Sequence, residues 1–270
     1  AAQELAQRAG IEVKQTKVKK DPYETYYALL EEVANFYEFN LKHSEKGLEA
    51  MSYLSQRQLN DEQIKHFRLG YAPTFGNAIY QLLKNKGFQV SDMIKLGVVK
   101  QNDQGEYYDL FADRIMFPIT DPKGHVVGFS GRTMQAKETV KYMNSPETVI
   151  FKKGTLLYHF YEALPEIRKE KQIILYEGFF DVISSYAAGM KQGVATMGTS
   201  LTKEQARLMK SVSSNVVIAY DGDSAGLKAA DHAIPILEKE NLKVEVLTIP
   251  EKMDPDDFIK SYGPEAYEKL

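Results

Sequence analysis

Cysteine and tryptophan are both absent from the 270 residues. Without cysteine, disulfides and Cys-ligated zinc or iron–sulfur centres are excluded from this stretch, which fits a reducing, cytoplasmic setting. No run of about 18 apolar residues occurs, so no membrane-spanning helix is expected. The opening AAQELAQRAG lacks the apolar core and cleavage site of a secretory signal. A strong charge of either sign is missing too. The net charge is −3 and the pI about 6.0, so any nucleic-acid binding must use a local patch rather than a basic surface. Internal repeats and low-complexity tracts are also lacking. What remains is an ordinary globular composition, 43% hydrophobic and 26% charged, enough for one large domain or two small ones. The last hundred residues carry 11 Lys and Arg against 15 Asp and Glu, so the acidic excess lies in the C-terminal part.

Residues 1–20 are polar, carry Lys17, Lys19 and Lys20, and read as a linker. From Pro22 an apolar stripe recurs at three and four residues through Tyr26, Leu29, Leu30, Val33, Phe36, Tyr37 and Leu41, which predicts a helix. Further helices are expected over 46–56, from Asn60 or Asp61 to the RLGYAP segment, over 78–86 and over 91–96. The character changes at Tyr108. RIMFPIT (Arg114–Thr120) and VVGFS (Val126–Ser130) flank the turn signal DPKG and predict a hairpin. A polar, locally basic stretch follows, with Arg132, Lys137, Lys141, Lys152 and Lys153 against Glu138 and Glu147. From Lys171 strands and helices alternate: IILY, GVATM, VVIAY and VEVLTI are apolar runs, Thr202 with Gln205 spells a capping box, and Asp254-Pro255 opens a last helix that Gly263 ends. Apolar strands joined by helices predict a parallel sheet covered on both faces.

Three of those four strands run into acid. IILY leads to Glu177-Gly178 with Asp181 one turn on, VVIAY to Asp221-Gly222-Asp223, and VEVLTI to Asp254, Asp256 and Asp257. A lone DxD pair is usually a solvated turn, and Asp254 alone is a helix cap. Together, at the carboxyl ends of parallel strands where ligands bind, they imply one shared site. Two carboxylates about 5 Å apart repel by roughly 3 kcal/mol at an effective dielectric near 20. With no cysteine and no paired histidine among them, the relief is a hard, oxygen-loving cation such as Mg²⁺ or Mn²⁺, not zinc. Asp257 is the weakest member and reads as a helix-dipole partner. Gly178 and Gly222 are expected where a strand turns sharply and a metal or phosphate nears the backbone, Gly226 near a helix start where a side chain would crowd the site, and Gly198-Thr199-Ser200 on the same edge could offer amides and a hydroxyl to a phosphate. The 17 tyrosines are mostly expected in the core, with Tyr142 the one nominated for base stacking. The five histidines lack ligand spacing and read as structural or surface.

EGFFD (Glu177–Asp181) and YDGDSAG (Tyr220–Gly226) resemble the Toprim domain. KYMNSPET (Lys141–Thr148), FKKG (Phe151–Gly154), RIMFPI…GHVVGFSGR, MGTS, DPDDFI, YLSQR and FRLGYAP together resemble the RNA polymerase core of bacterial DnaG-type primases over residues 23–270. The resemblance implies an α/β fold: a mainly helical N-terminal subdomain with a β-hairpin region over 21–170, a Toprim subdomain over 171–260, and over 261–270 the start of a helical region that continues beyond it. It implies a DNA-directed RNA polymerase, a nucleotidyltransferase that makes short primers by two-metal chemistry. Its partners are a single-stranded DNA template, NTPs and the RNA–DNA hybrid. A replicative helicase is reached through a domain outside this sequence. A zinc module would precede the core; the core itself is expected monomeric, without membrane contact.

Carried over by position, Glu177, Asp181, Asp221 and Asp223 are the implied catalytic acids, and Glu177, Asp221, Asp223, Asp254 and Asp256 the implied metal ligands. Arg57, Arg132, Lys141, Tyr142, Asn144 and Lys153 are the implied nucleotide and nucleic-acid contacts. Gln58 stands where the family usually has glycine. The rival readings are a strand-cleaving Toprim enzyme and a non-catalytic binding module.

Overall fold

The apolar stripe from Tyr26 to Leu41 winds as one helix, α1 (Glu24–His43), in the computed structural model, which describes residues 21–135, 137–250 and 252–270. The linker read over 1–20, with its three lysines, lies outside the described residues. Helix α1 buries Leu29, Leu30, Val33, Ala34, Tyr37 and Leu41. Helix α2 (Glu45–Gln56) is capped by Ser44, whose hydroxyl accepts from the Gly47 amide, and α3 (Asp61–His66) by an Asn60/Gln63 capping box.

RLGYAP does more than end that helix. Gly70–Ala72 is a strand, β1, and it pairs antiparallel with Arg114–Thr120. Helices α4 (Ala78–Asn85) and α5 (Val90–Lys95) follow. A small hairpin of β2 (Val99–Gln101) and β3 (Tyr107–Asp109) then begins before the expected change at Tyr108. The amides of Ile79 and Tyr80 at the start of α4 donate to the Asp109 carboxylate, at 2.9 and 3.1 Å, so a helix is capped from a distant strand.

The central hairpin is β4 (Arg114–Thr120) and β5 (Val126–Thr133). Asp121 closes its turn by accepting from the Lys123 and His125 amides, and Gly124 sits at φ 89. The stretch read only as polar contains a third strand, β6 (Tyr142–Asn144), which places Tyr142 opposite Arg132 and Asn144 opposite Ser130. The first sheet therefore runs β1-β4-β5-β6.

A 3₁₀ turn (Lys153–Thr155) and α6 (Phe160–Glu170) lead into the alternating part. Its elements are β7 (Ile173–Tyr176), α7 (Phe179–Ala187), β8 (Gly193–Ala195), α8 (Lys203–Lys210), β9 (Asn215–Ile218), α9 (Ser224–Lys239), β10 (Lys243–Val246), α10 (Pro255–Tyr262) and α11 (Pro264–Glu268). The strands are parallel, in the order β10-β9-β7-β8. The α/β class, the helical N-terminal part with its antiparallel hairpin and the parallel Toprim-type sheet are all present. No helix among the described residues is long and apolar enough to cross a membrane.

One core runs across both sheets. Phe67, Tyr71, Phe117 and Phe151 from the first part pack with Tyr176, Phe179, Phe180, Ile183 and Phe258 from the second, each such side chain contributing about 1.5–3 kcal/mol on burial. Polar seams register the halves. Tyr158 and Ala195 exchange backbone bonds. Gln205, fully buried, donates to the carbonyls of Lys153 and Leu156. His159 Nδ1 meets the Gly193 carbonyl and its Nε2 meets His66 Nε2, each at 2.9 Å. The imidazoles are thus structural, as expected.

Candidate active site

Each acid is set by the helix start or strand end that carries it. Glu177 follows β7, and one carboxylate oxygen accepts from the Asp221 amide at 3.3 Å. Asp181 is the third residue of α7 and accepts from the Gly178 amide at 3.0 Å. Asp223 caps α9 by accepting from the Ala225 and Gly226 amides, both at 2.8 Å. Asp254 caps α10 by accepting from the Asp257 amide at 2.6 Å. In Asp223 and Asp254 one oxygen takes these bonds, so the other is available to a ligand.

Gly226 earns its place by backbone proximity. A Cβ there would lie 2.2 Å from the Asp221 carbonyl oxygen, and one on Gly222 2.3 Å from that of Pro250. At Gly226 the crowding expected of a side chain is crowding against the backbone of Asp221, while at Gly222 the close neighbour is the 249–250 segment. Gly198, at φ 72, has open space where its Cβ would be.

Crowding shows in the acid strengths. Burial, then Glu177, Asp254 and Asp223, push the Asp221 carboxyl up to about 7. Burial together with Asp254, Asp221 and Asp256 lifts Asp181, which is 6% exposed, well above the usual carboxylate range. Glu177 and Asp254 are raised as well, chiefly by burial. Carboxylate oxygens of Asp254, Asp256 and Asp257 lie within 4.8 Å of one another, the one such trio among the described residues. Asp257 is thus closer to the cluster than its reading as a dipole partner implied. An all-oxygen, under-compensated donor set of this kind fits a hard divalent cation.

Asp256 differs from its neighbours. It is 3% exposed, and its carboxylate accepts from Ser184 Oγ, Lys260 Nζ and Arg57 Nη1. Its own amide donates to Asp181 at 3.3 Å. An acid read as a ligand is therefore enclosed by three protein donors. Arg57, read as a nucleic-acid contact, is the cation of a partly buried ion pair that ties the end of α2 to α10.

The basic motif borders the acids. Asn144 Nδ2 donates to the Met197 carbonyl beside the Gly198-Thr199-Ser200 loop. The Tyr142 ring stacks on Phe179 at 5.5 Å and 20°, and the Arg132 guanidinium covers it at 5.4 Å. The ring expected to stack on a base thus already has an aromatic and a cationic neighbour within the protein. Arg132 Nε and Asn144 Oδ1 are buried with no partner among the described residues. Lys141 is exposed, and Lys153 is held at the rim by its backbone, through Glu147 and Gln205. A 330 Å³ cavity opens from Glu177 along Thr196, Gly198, Thr199 and Tyr220. Ser184 and Lys260 were not singled out by sequence reasoning, and Tyr53 entered only as the first residue of the YLSQR motif. Lys260, four residues after Asp256 on one helix, carried a legible signal.

Comparison with known proteins shows the family of the chain. The family described as DNA primase catalytic core, N-terminal domain, matches residues 36–164, and the Toprim-like family matches 174–259. A DNA primase of Enterococcus faecalis is 43% identical over 243 residues, covering 88% of this chain and 39% of that protein, so the chain spans less than half its length. The Aquifex aeolicus primase structure comprising zinc-binding and RNA polymerase domains superposes with a TM-score of 0.86 at 38% identity, over 99% of this chain and 65% of that one. A DnaG primase catalytic domain bound to single-stranded DNA gives 0.81 at 35% identity, over 91% and 80%. Contiguous matches along both halves, and a solved catalytic domain covered to four-fifths of its length, mean that the chain belongs to the bacterial DnaG-type primase catalytic-core family.

Proposed function

We propose that this chain is the catalytic core of a DNA-dependent RNA polymerase that makes short RNA primers on single-stranded DNA, using Mg²⁺ or Mn²⁺ for nucleotidyl transfer. The observation that carries the reading is the convergence of carboxylates after β7, β9 and β10, beside a loop after β8 to which the polar strand β6, preceded by Lys141, is tied by the Asn144 bond to Met197. Glu177, Asp221, Asp223 and Asp254 would hold the cations. A divalent cation bound there supplies charge to the triphosphate and acidifies the attacking hydroxyl. Asp181, fastened by the Gly178 and Asp256 amides, keeps α7 and α10 at the spacing the ligands need. Arg132, Lys141 and Lys153 meet phosphates of the nucleotide, template or hybrid. Arg132 Nε and Asn144 Oδ1, buried without a partner among the described residues, mark this neighbourhood as one with unmet polar groups.

In this reading 21–170 presents the template side and 171–260 the metal side. The enzyme acts as a cytoplasmic monomer and reaches the helicase through another part of the full protein. The related catalytic domain bound to single-stranded DNA supports the template assignment. The test incubates the chain with single-stranded DNA, four labelled NTPs and Mg²⁺ or Mn²⁺. Short template-dependent RNA is expected. Cut template without RNA would replace the reading with strand cleavage, and an Asp221→Ala variant of full activity would remove the acids from the chemistry.

A further inference from the structure

Two arginines from distant parts of the chain share one aromatic seat. The Arg57 guanidinium lies 4.5 Å and that of Arg132 4.9 Å from the centre of the Phe180 ring, next to Asp181. Like charges so placed repel, and both are drawn together by a single neutral acceptor. The Tyr53 hydroxyl accepts from Arg57 Nε at 3.0 Å and from Arg132 Nη1. Arg57 continues the chain of contacts to Asp256, whose amide reaches Asp181. The two ends of this chain of contacts belong to different parts of the fold. Arg132 is on β5 opposite Tyr142, and Asp256 opens α10.

We infer that Tyr53 is a positioning residue for the polymerase reaction: its hydroxyl oxygen fixes the Arg132 guanidinium towards a phosphate of the nucleic acid. This rests on the reading that Arg132 meets a phosphate. The phenol oxygen accepts from one nitrogen of each arginine, so only one corner of the Arg132 fork is engaged by it. Arg132 Nε is buried and unpartnered, a donor already stripped of water and ready for an anion. Without the hydroxyl, the fork would be held only by ring faces, which orient a cation far less than a directed bond.

The test uses the full chain and a fluorescein-labelled oligothymidylate, with affinity read by anisotropy across a salt series. Tyr53→Phe keeps the ring and deletes the acceptor. It is expected to weaken binding about tenfold, the lower end for a hydrogen bond to a charged group. It should also flatten the log–log salt dependence by about 0.7, the value of one phosphate contact on a single strand. Arg132→Gln should do the same, and the double variant should be no weaker than Arg132→Gln alone, because the hydroxyl acts through the guanidinium. A change of packing alone would leave the salt slope where it was. If Arg132→Gln weakens binding while Tyr53→Phe binds like the parent, or if the two losses add, the positioning role is refuted and the phosphate reading stands. If Arg132→Gln leaves affinity and slope unchanged, the phosphate reading fails and this inference falls with it.

Discussion

His159 offers a titration whose sign and size follow from its surroundings. It is 4% exposed and begins α6 at φ 64. Its Nδ1 faces a carbonyl and so must carry the proton, which leaves Nε2 to accept from His66. A second proton would set N–H against N–H unless His66 gave up its own. Burial, aided by His66 and opposed by the Gly193 bond, lowers the His159 pKa from 6.5 to about 3. The unfolded chain takes up this proton below about 6.5 and the folded chain does not. The contribution is therefore complete above about pH 6.5 and is lost as pH falls towards 3. The gap amounts to about 5 kcal/mol at its limit and about 2 kcal/mol by pH 5. For a chain of this size that is about 4 °C in melting temperature. Other groups titrate in the same range, and Asp221, raised to about 7, works in the opposite direction. The measurement is therefore a difference. His159→Gln can donate to Gly193 and accept from His66 without titrating. Melting curves of parent and variant at pH 8 and pH 5 should show the parent's advantage shrinking by about 4 °C. A difference that stays constant with pH would refute the account of a buried neutral imidazole.

Three further outcomes can be checked. Asp221→Asn should abolish primer synthesis in a gel assay, yet raise the melting temperature in EDTA at pH 8, because it removes an ionised carboxylate that burial and its neighbours disfavour. Mg²⁺ should raise the parent's melting temperature at pH 8 and do so less at pH 6, where Asp221 takes up a proton below its value of about 7; an equal gain at both would detach Asp221 from the cation. Gly226→Ala places a methyl 2.2 Å from the Asp221 carbonyl oxygen, so urea unfolding should register a loss of about 1–3 kcal/mol, with activity falling as α9 is pushed off the strand ends.

Much of the parallel sheet could be read directly. Fully apolar runs such as IILY announce buried strands, and the Thr202/Gln205 box and Asp254-Pro255 mark helix starts that depend only on neighbours in sequence. Elements that owe their existence to distant partners were not legible. Gly70–Ala72 is a strand because β4 lies beside it, and β6 is a polar segment recruited by β5. Helix α6 contains Pro165, which argues against a helix until the core holds it. The same division runs through the site. The acids at strand ends were visible as motifs. The contacts of Arg57 and Ser184 with Asp256, and those of Phe179 with the Tyr142 ring, arise from packing between segments far apart in the chain.

The double employment of the acids bears on how an inactive control should be built. Asp223 and Asp254 each hold a helix start with one oxygen while offering the other outward. Alanine at either position silences the outward oxygen and also uncaps a helix, at about 0.5–2 kcal/mol. A dead alanine variant therefore conflates lost chemistry with a loosened scaffold. Asparagine caps as well as aspartate does and removes only the charge. The clean comparison at these two positions is carboxylate against amide.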